Sequence, residues 1–204
     1  MKKILIGFVL GIFIVFGSVP AMAVLIDFEP PTFGINGITG PEVTNQYPEL
    51  TFSSTAPYTN YVSTQPGIGF GSNFLCSGAV GSINCVAETI ATFTNPVNNL
   101  QFYGVGSNAT GVVANIDVFT NGIFSATLNF IGTAQFFTPI LADLSAYNNV
   151  TSIRIYNITD GGGLGWDNFS FTPVSAPIPE PGTMMLLGSG LVGLVGYGRR
   201  RFKK

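Results

Sequence analysis

The chain contains no histidine, and no lysine lies between Lys3 and Lys203. The central region therefore lacks the usual proton shuttle, the commonest transition-metal ligand and any lysine nucleophile. Charged residues of every kind are scarce, at 9% of 204 residues. No spacing among the carboxylates singles out the opposed pair that a glycosidase needs. We therefore expect a protein that is not an enzyme.

Positive charge is almost absent from the middle of the chain. Between Val24 and Pro177, nine carboxylates stand against one cation, Arg154, which leaves an excess of eight negative charges (nine minus one). Such a body repels polyanions, so we expect no nucleic-acid partner. The middle has about 150 residues, enough for one domain with a hydrophobic core but not for two.

The N-terminus has the parts of a signal peptide in their usual order. Two lysines precede an apolar stretch over 4–19, which is followed by Pro20 and an Ala-x-Ala sequence. The small side chains of Ala21 and Ala23 suit signal peptidase. We therefore predict a signal peptide over 1–23, with an uncleaved membrane anchor as the alternative.

The C-terminus carries a second apolar run, over 183–198, after a proline-rich linker over 173–182. The run is short for a membrane-spanning helix and contains five glycines, which suits recognition by a membrane protein better than permanent anchoring. A basic tail over 199–204 follows and is expected to stay in the cytoplasm while the domain lies outside. Its cations are Arg199, Arg200, Arg201, Lys203 and Lys204.

Pro179, Glu180 and Pro181 stand directly before this run. The order of Pro-Glu-Pro, a glycine-rich apolar segment and an arginine-rich end resembles the PEP-CTERM sorting signal of Gram-negative bacteria, over 179–204. The resemblance implies a transient inner-membrane anchor and cleavage by an exosortase near Pro-Glu-Pro. It also implies a mature form on the outer surface or in the matrix, associated with exopolysaccharide and biofilm. An ordinary single-span anchor is the alternative.

The region 24–172 shows no long helical periodicity. Stretches rich in Val, Ile, Phe and Thr recur about every ten residues between Gly, Asn and Pro clusters, which predicts an all-β domain of two packed antiparallel sheets, a sandwich or jelly roll. The predicted strands are 25–28, 50–53, 89–93, 100–105, 112–120, 123–131, 136–140, 150–156 and 166–171.

Asn121 and Gly122 give the clearest local signal. This pair supplies the positive φ angles of a type I′ turn, so 112–120 and 123–131 are predicted to form a hairpin. One face of the first arm is expected to be core, with Val112, Ala114, Ile116 and Val118 as its members.

The strand 150–156, a glycine-rich turn and the pair Asp167-Asn168 before Phe-Ser-Phe resemble the end of a galactose-binding-like jelly roll. The resemblance implies that the first and last strands are neighbours, which would bring Asp27 and Glu29 to that pair. Hard oxygen ligands without histidine or thiolate suit a structural calcium ion. The alternative is that these side chains are solvated at strand ends.

Cys76 and Cys85 are the only cysteines and enclose a short loop, so we expect a disulfide in an exported protein.

Three roles stay open for the domain. We favour a non-catalytic surface or matrix protein. The first alternative is a carbohydrate-binding module for the cell's own exopolysaccharide, in which aromatic rings stack on pyranose faces. The aromatic residues available for this are Trp166 and Tyr156, and also Tyr58, Tyr61 and Tyr103. The second alternative is a structural adhesin that self-assembles.

Overall fold

The structure is a computed structural model that describes most of the central region. The described residues are 22–29, 39–68, 70–71, 73–79, 82, 84–174 and 188–190. The strands lie within one compact unit, Ala21–Val174. Of the second unit, residues 188–190 are described, and they are helical. None of the helical residues described forms a helix long and apolar enough to cross a membrane. Residues 1–21 of the signal peptide predicted over 1–23 lie outside the described residues.

The β domain is built almost entirely from antiparallel strand pairs. In the described part of the chain the strands are β1 (Val24–Ile26), β2 (Thr39–Glu42), β3 (Leu50–Ser53), β4 (Thr59–Thr64), β5 (Asn73–Gly78), β6 (Thr89–Val105), β7 (Thr110–Thr120), β8 (Ile123–Thr133), β9 (Ile140–Asp143), β10 (Val150–Tyr156) and β11 (Gly165–Pro173). The main path of the sheet runs β2-β4-β5-β11-β6-β10-β7-β8, with β1 on β11 and with β3 and β9 on β6. This arrangement confirms the prediction of an all-β, antiparallel domain.

The long strand β6 joins the two layers of the sandwich. Its first part pairs with β3 and β10, and its second part pairs with β9 and β11. The two layers meet in one core, where Phe52 of β3 lies 5.4 Å from Phe169 of β11, and Phe130 of β8 lies 5.3 Å from Trp166, between ring centroids. Aromatic pairs at these distances add to the energy of burial.

Several predicted strand boundaries differ from the structure. The predicted strands 89–93 and 100–105 are one strand, because register shifts between β6 and its partners absorb the intervening residues 94–99. The predicted strand 136–140 is wrong, since a turn in which Thr138 N–H donates to the Gln135 carbonyl (2.9 Å) occupies this stretch and β9 begins only at Ile140. Strands β2, β4 and β5 were not predicted.

The predicted hairpin is confirmed as β7 and β8. Asn121 and Gly122 have φ angles of 52° and 79°, as a type I′ turn requires. One face assignment is wrong. A register shift between Val112 and Ala114 turns Val112 outward, where it is 46% exposed, and buries Val113. A bulge of this kind exchanges the faces on either side of it.

The predicted disulfide joins Cys76 of β5 to Cys85, with their Cα atoms 4.9 Å apart. Both cysteines belong to a small second hydrophobic cluster. Its other buried members are Tyr61, Ile68, Phe74 and Val105.

Candidate functional site

The first and last strands lie side by side, as the jelly-roll interpretation predicted. Ile26 of β1 pairs with Phe169 of β11 in antiparallel register. Asp27 directly follows Ile26, and Asn168 directly precedes Phe169. The residues proposed as calcium ligands therefore come from two adjacent strand ends.

Asp167 is the buried member of this group, with 1% of its surface exposed. Its Oδ1 accepts a hydrogen bond from the Asn168 amide (2.7 Å), and its Oδ2 accepts one from the Phe70 amide (3.5 Å). Burial raises the pKa of Asp167 to about 7, the two amides oppose the rise, and the charges of Glu29 and Asp27 add to it. Asp167 is thus poised between its charged and neutral forms near neutral pH.

Glu29 and Asp27 hold the segment after β1 in place. The Glu29 carboxylate accepts a hydrogen bond from the Asn73 amide (2.8 Å), and the Asn73 side chain donates to the Phe28 carbonyl (3.0 Å). Asp27 is exposed and accepts from the Glu29 amide (3.2 Å). These bonds connect the end of β1 to the start of β5.

Sequence reasoning missed Tyr47 at this site. Burial raises the pKa of the Tyr47 hydroxyl, and the charges of Asp27 and Asp167 raise it further. Its ring packs edge-on against Phe28, 5.9 Å between centroids. Tyr47 lies 20 residues from Asp27 and 120 from Asp167 in sequence, so no local pattern connects it to them.

The donor chemistry of this group fits a hard cation, because carboxylate oxygens predominate and two of the carboxylates raise the pKa of the third. The geometry of these carboxylates does not yet form a complete metal site. Across the residues that can be described, no three His, Cys, Asp or Glu side chains are disposed to hold a metal ion. Side chains such as the exposed Asp27 would have to turn toward Asp167 to bind one.

A partly exposed aromatic pair lies beside the carboxylates. The Phe70 and Tyr103 rings meet edge to face at 4.5 Å between centroids, and Phe70 is 55% exposed. Tyr103 is the cross-strand neighbour of Asp167 on one side and of the exposed Leu141 on the other. The sequence pointed to Tyr103 but not to Phe70, which the loop before β5 brings across the sheet.

Trp166, which was predicted as a sugar-stacking residue, lies in the core instead. It is fully buried between Phe102 (5.8 Å) and Phe130 (5.3 Å), because its position on β11 faces the interior. Its indole N–H has no acceptor within the described portion of the chain. Tyr61 is also buried, whereas Tyr58 is exposed. Trp166 therefore cannot present a ring face to a sugar.

Tyr156, the other predicted ligand residue, belongs to a polar network on the outer face of β7 and β10. Its hydroxyl donates to Asp117 (3.2 Å), which also accepts from Thr127 (2.5 Å). The Arg154 guanidinium lies 4.5 Å from the centre of the Tyr156 ring and forms a 2.5 Å ion pair with Glu88. One face of the ring is therefore already covered.

The predicted sorting residues fall outside the described residues. They are Ala21 at the signal cleavage site, Pro179, Glu180 and Pro181 of the sorting motif, and Arg199, Arg200, Arg201, Lys203 and Lys204 of the basic tail. Ala23, the other predicted cleavage residue, is exposed directly before β1.

Comparison with known proteins bears on the tail. Residues 177–201 match the PEP-CTERM protein-sorting motif. No curated protein matches the chain. Among solved structures, the chain is similar to the F5/8 type C domain of a protein from Bacteroides fragilis, with 18% identity, over 47% of this chain and 78% of that one, at a TM-score of 0.30. At that TM-score the similarity supports no conclusion about fold or ligand.

The motif match identifies the class of protein. A chain with a PEP-CTERM motif at 177–201 is an exosortase-targeted surface protein, exported to the cell envelope. The resemblance seen in the sequence over 179–204 is thereby confirmed. Exosortase follows as a partner.

Proposed function

We propose that this protein is a non-catalytic component of the outer surface or extracellular matrix, associated with exopolysaccharide. The sorting motif at 177–201 is the observation that carries the proposal. The disulfide between Cys76 and Cys85 supports an oxidising location outside the cytoplasm. In this scheme signal peptidase removes 1–23, the apolar run holds the chain briefly in the inner membrane, and exosortase cuts near Pro-Glu-Pro.

Mass spectrometry of the mature C-terminus tests this function. In cells with an intact exosortase, we expect the protein outside the inner membrane with its C-terminus near 177–181. In cells without exosortase, or in Glu180→Ala, we expect the full tail to remain in the membrane fraction. Glu49→Ala removes a carboxylate from the domain, outside the motif, and serves as the matched control. Release of the domain without exosortase would contradict the proposal.

A carbohydrate-binding role is the second candidate, and the Phe70–Tyr103 pair favours it. Accessible aromatic rings beside carboxylates and hydroxyls are the groups that bind sugar faces and sugar hydroxyls, and in this pair Phe70 is exposed and Tyr103 half-buried. Gln101 and Asp143 lie on the same face of the sheet, two residues along their strands from Tyr103 and Leu141. The ligand proposed is the cell's own exopolysaccharide.

Affinity electrophoresis in gels that contain the purified exopolysaccharide tests this role. The Phe70→Ala variant is expected to lose most of the retardation. Phe124→Ala is the matched control, because Phe124 is also 55% exposed but lies on the β7–β8 hairpin. Equal retardation of the two variants would count against a sugar site at Phe70.

A structural calcium ion is the remaining part of the proposal, with Asp27, Glu29, Asp167 and Asn168 as the residues that would hold it. When bound, the ion would supply positive charge between carboxylates that otherwise repel one another. We expect calcium to raise the melting temperature at neutral pH, and Asp167→Asn to abolish the rise. A melting temperature that is the same in calcium and in chelator would discard the ion.

A further inference from the structure

The outer edge of β8 has no strand partner in the part of the chain that the structure describes. β8 ends the strand order, and its described pairing is with β7 alone. The backbone hydrogen bonds found outside the strand ladders include none from Ile123–Thr133. A row of free backbone N–H and C=O groups along an edge is a template on which another strand can add.

β8 lacks the charge and the proline that usually protect such an edge, and its one irregularity is at Ser125, which has no cross-strand partner because the β7–β8 register shifts there. Its eleven residues, IFSATLNFIGT, include no charged residue and no proline. They are rich in β-branched and aromatic residues, which favour extended structure. The strand is therefore competent to pair with a further strand.

Apolar surface flanks the edge at both ends. Ile123, Phe124 and Ile131 are each at least half exposed. Val112, also well exposed, is the cross-strand neighbour of Ile131. Beside the second half of β8, a groove of about 210 Å³ separates it from β9, where Leu141 is exposed. Exposed apolar side chains concentrated along one edge are typical of an interaction surface.

We propose that a second copy of this chain adds to this edge, β8 against β8 in antiparallel orientation. The charge distribution favours a second copy over a charged partner. Nine carboxylates and one arginine make the domain acidic, so two copies repel each other over most of their surface. β8 itself carries no charged side chain, and the groove beside it is lined by one carboxylate, Asp143. A two-fold symmetric contact also lets the same uncharged strand serve both partners.

The pair of domains would form one continuous sheet across the two-fold axis. This contact deepens the proposed surface role, since it gives an exported matrix protein a means of self-association. It depends on that role only for where assembly takes place, because the strand pairing is a property of the β domain.

Sedimentation velocity on the mature protein, purified from cells that export and process it, tests the association. We expect a shift from monomer to dimer as concentration rises, and tighter association at higher salt, because salt screens the repulsion between acidic bodies. Hydrogen exchange in the same samples should show slower exchange of the amides in Ile123–Thr133 as the dimer forms. A dimer that leaves these amides unprotected, or a chain that stays monomeric, would overturn the proposal.

Ser125→Glu and Ser53→Glu form a matched pair of variants. Both serines are exposed on strands, Ser125 on β8 and Ser53 on β3. Glutamate at 125 would put a charge on the otherwise uncharged edge strand of each copy, so we expect dimerisation to weaken at least about tenfold, with no comparable change for glutamate at 53. Melting by circular dichroism establishes that both variants fold. Equal dimerisation of the two variants would also overturn the proposal, whereas failed exosortase processing would show only in the C-terminal mass.

Discussion

At one end of the strand order, β2, β4 and β5 have four to six residues each, whereas at the other end β7 and β8 have eleven. We call these the disulfide end and the hairpin end. The disulfide end is held by Cys76–Cys85 and by carboxylates bonded to backbone amides. The hairpin end has a long ladder with two register shifts, closed by a two-residue turn. Short strands have few ladder bonds of their own, so they depend more on tertiary links.

The outermost strands of the two ends, β2 and β8, also differ in length and in sequence. β2, with the sequence TGPE, is short and carries a proline and a glutamate, both of which discourage pairing with another chain. β8 is long, uncharged and open. The difference indicates that the disulfide end is closed to partners and that the hairpin end is not. Four predictions separate the forces that hold the two ends.

The largest effect is expected at the hairpin end, from Phe130→Ala. Phe130 is buried and packs against Trp166, so its loss should leave a cavity and lower the free energy of unfolding by about 3 to 5 kcal/mol. Phe124→Ala on the same strand should cost less than about 1 kcal/mol, because its ring is already half exposed. Urea denaturation measures both. Similar costs would mean that β8 is not anchored through its inner face.

The next effect is expected at Asp167, near the disulfide end, and depends on pH. The folded protein binds a proton at Asp167 more tightly than the unfolded chain does, since its pKa rises from 3.8 to about 7. The free energy of unfolding should therefore fall as pH rises from about 4 to about 7, by at most about 4 kcal/mol from this group. Below pH 4 the contribution is complete, and above pH 7 the loss levels off.

Asp167→Asn removes this titration but keeps the shape of the side chain. We expect the difference in unfolding free energy between variant and wild type to change steadily between pH 4 and 7, in chelator and at fixed salt. Glu29, Asp27 and Tyr47 face the same group and remain in both proteins, so the comparison changes only the Asp167 carboxyl. A difference that does not vary with pH would show that Asp167 is solvated.

The disulfide comes third. Replacing both Cys76 and Cys85 with alanine should lower the free energy of unfolding by about 2 to 3 kcal/mol, because the unfolded chain regains the freedom of the closed loop. Reduction of the wild type should give a similar loss. Hydrogen exchange should show the loss concentrated in β4 and β5 and small in β7 and β8. A uniform loss of protection over both ends would show that the disulfide does not stabilise the disulfide end in particular.

Sequence reasoning succeeded at the hairpin end because the information there is local. The Asn121-Gly122 turn fixes the register of β7 and β8 through two adjacent residues. The two register shifts, at Val112/Ala114 and at Val118/Phe119, escaped it, since a bulge depends on packing across the sheet.

The disulfide end could not be predicted in the same way. β4 and β5 are buried on both faces, so they lack the alternation that marks a half-exposed strand. They also bury polar side chains that suggest loops in sequence, such as Asn60 and Ser77, which bond to each other. Their burial is possible because each polar group finds a partner on a neighbouring strand.

The candidate site also contains residues that the sequence could place and residues that it could not. Asp27 and Asp167 could be placed together because the resemblance to a jelly roll implied that the first and last strands are neighbours. Tyr47 and Phe70 arrive from loops whose paths depend on the whole fold. Trp166 was misplaced because the sequence does not show which face of β11 is buried.

The smallest effect tests the turn itself, through Gly122→Ala compared with Gly161→Ala. A Cβ at either glycine meets no atom within 4 Å, but Gly122 has a φ of +79° whereas Gly161 lies outside the left-handed region. Alanine at 122 should therefore cost about 1 kcal/mol in backbone strain. Alanine at 161 should be neutral or slightly stabilising, because it reduces the freedom of the unfolded chain. Both sites have room for a Cβ and differ only in backbone angle. Urea midpoints that move equally would therefore mean that the turn does not set the hairpin register.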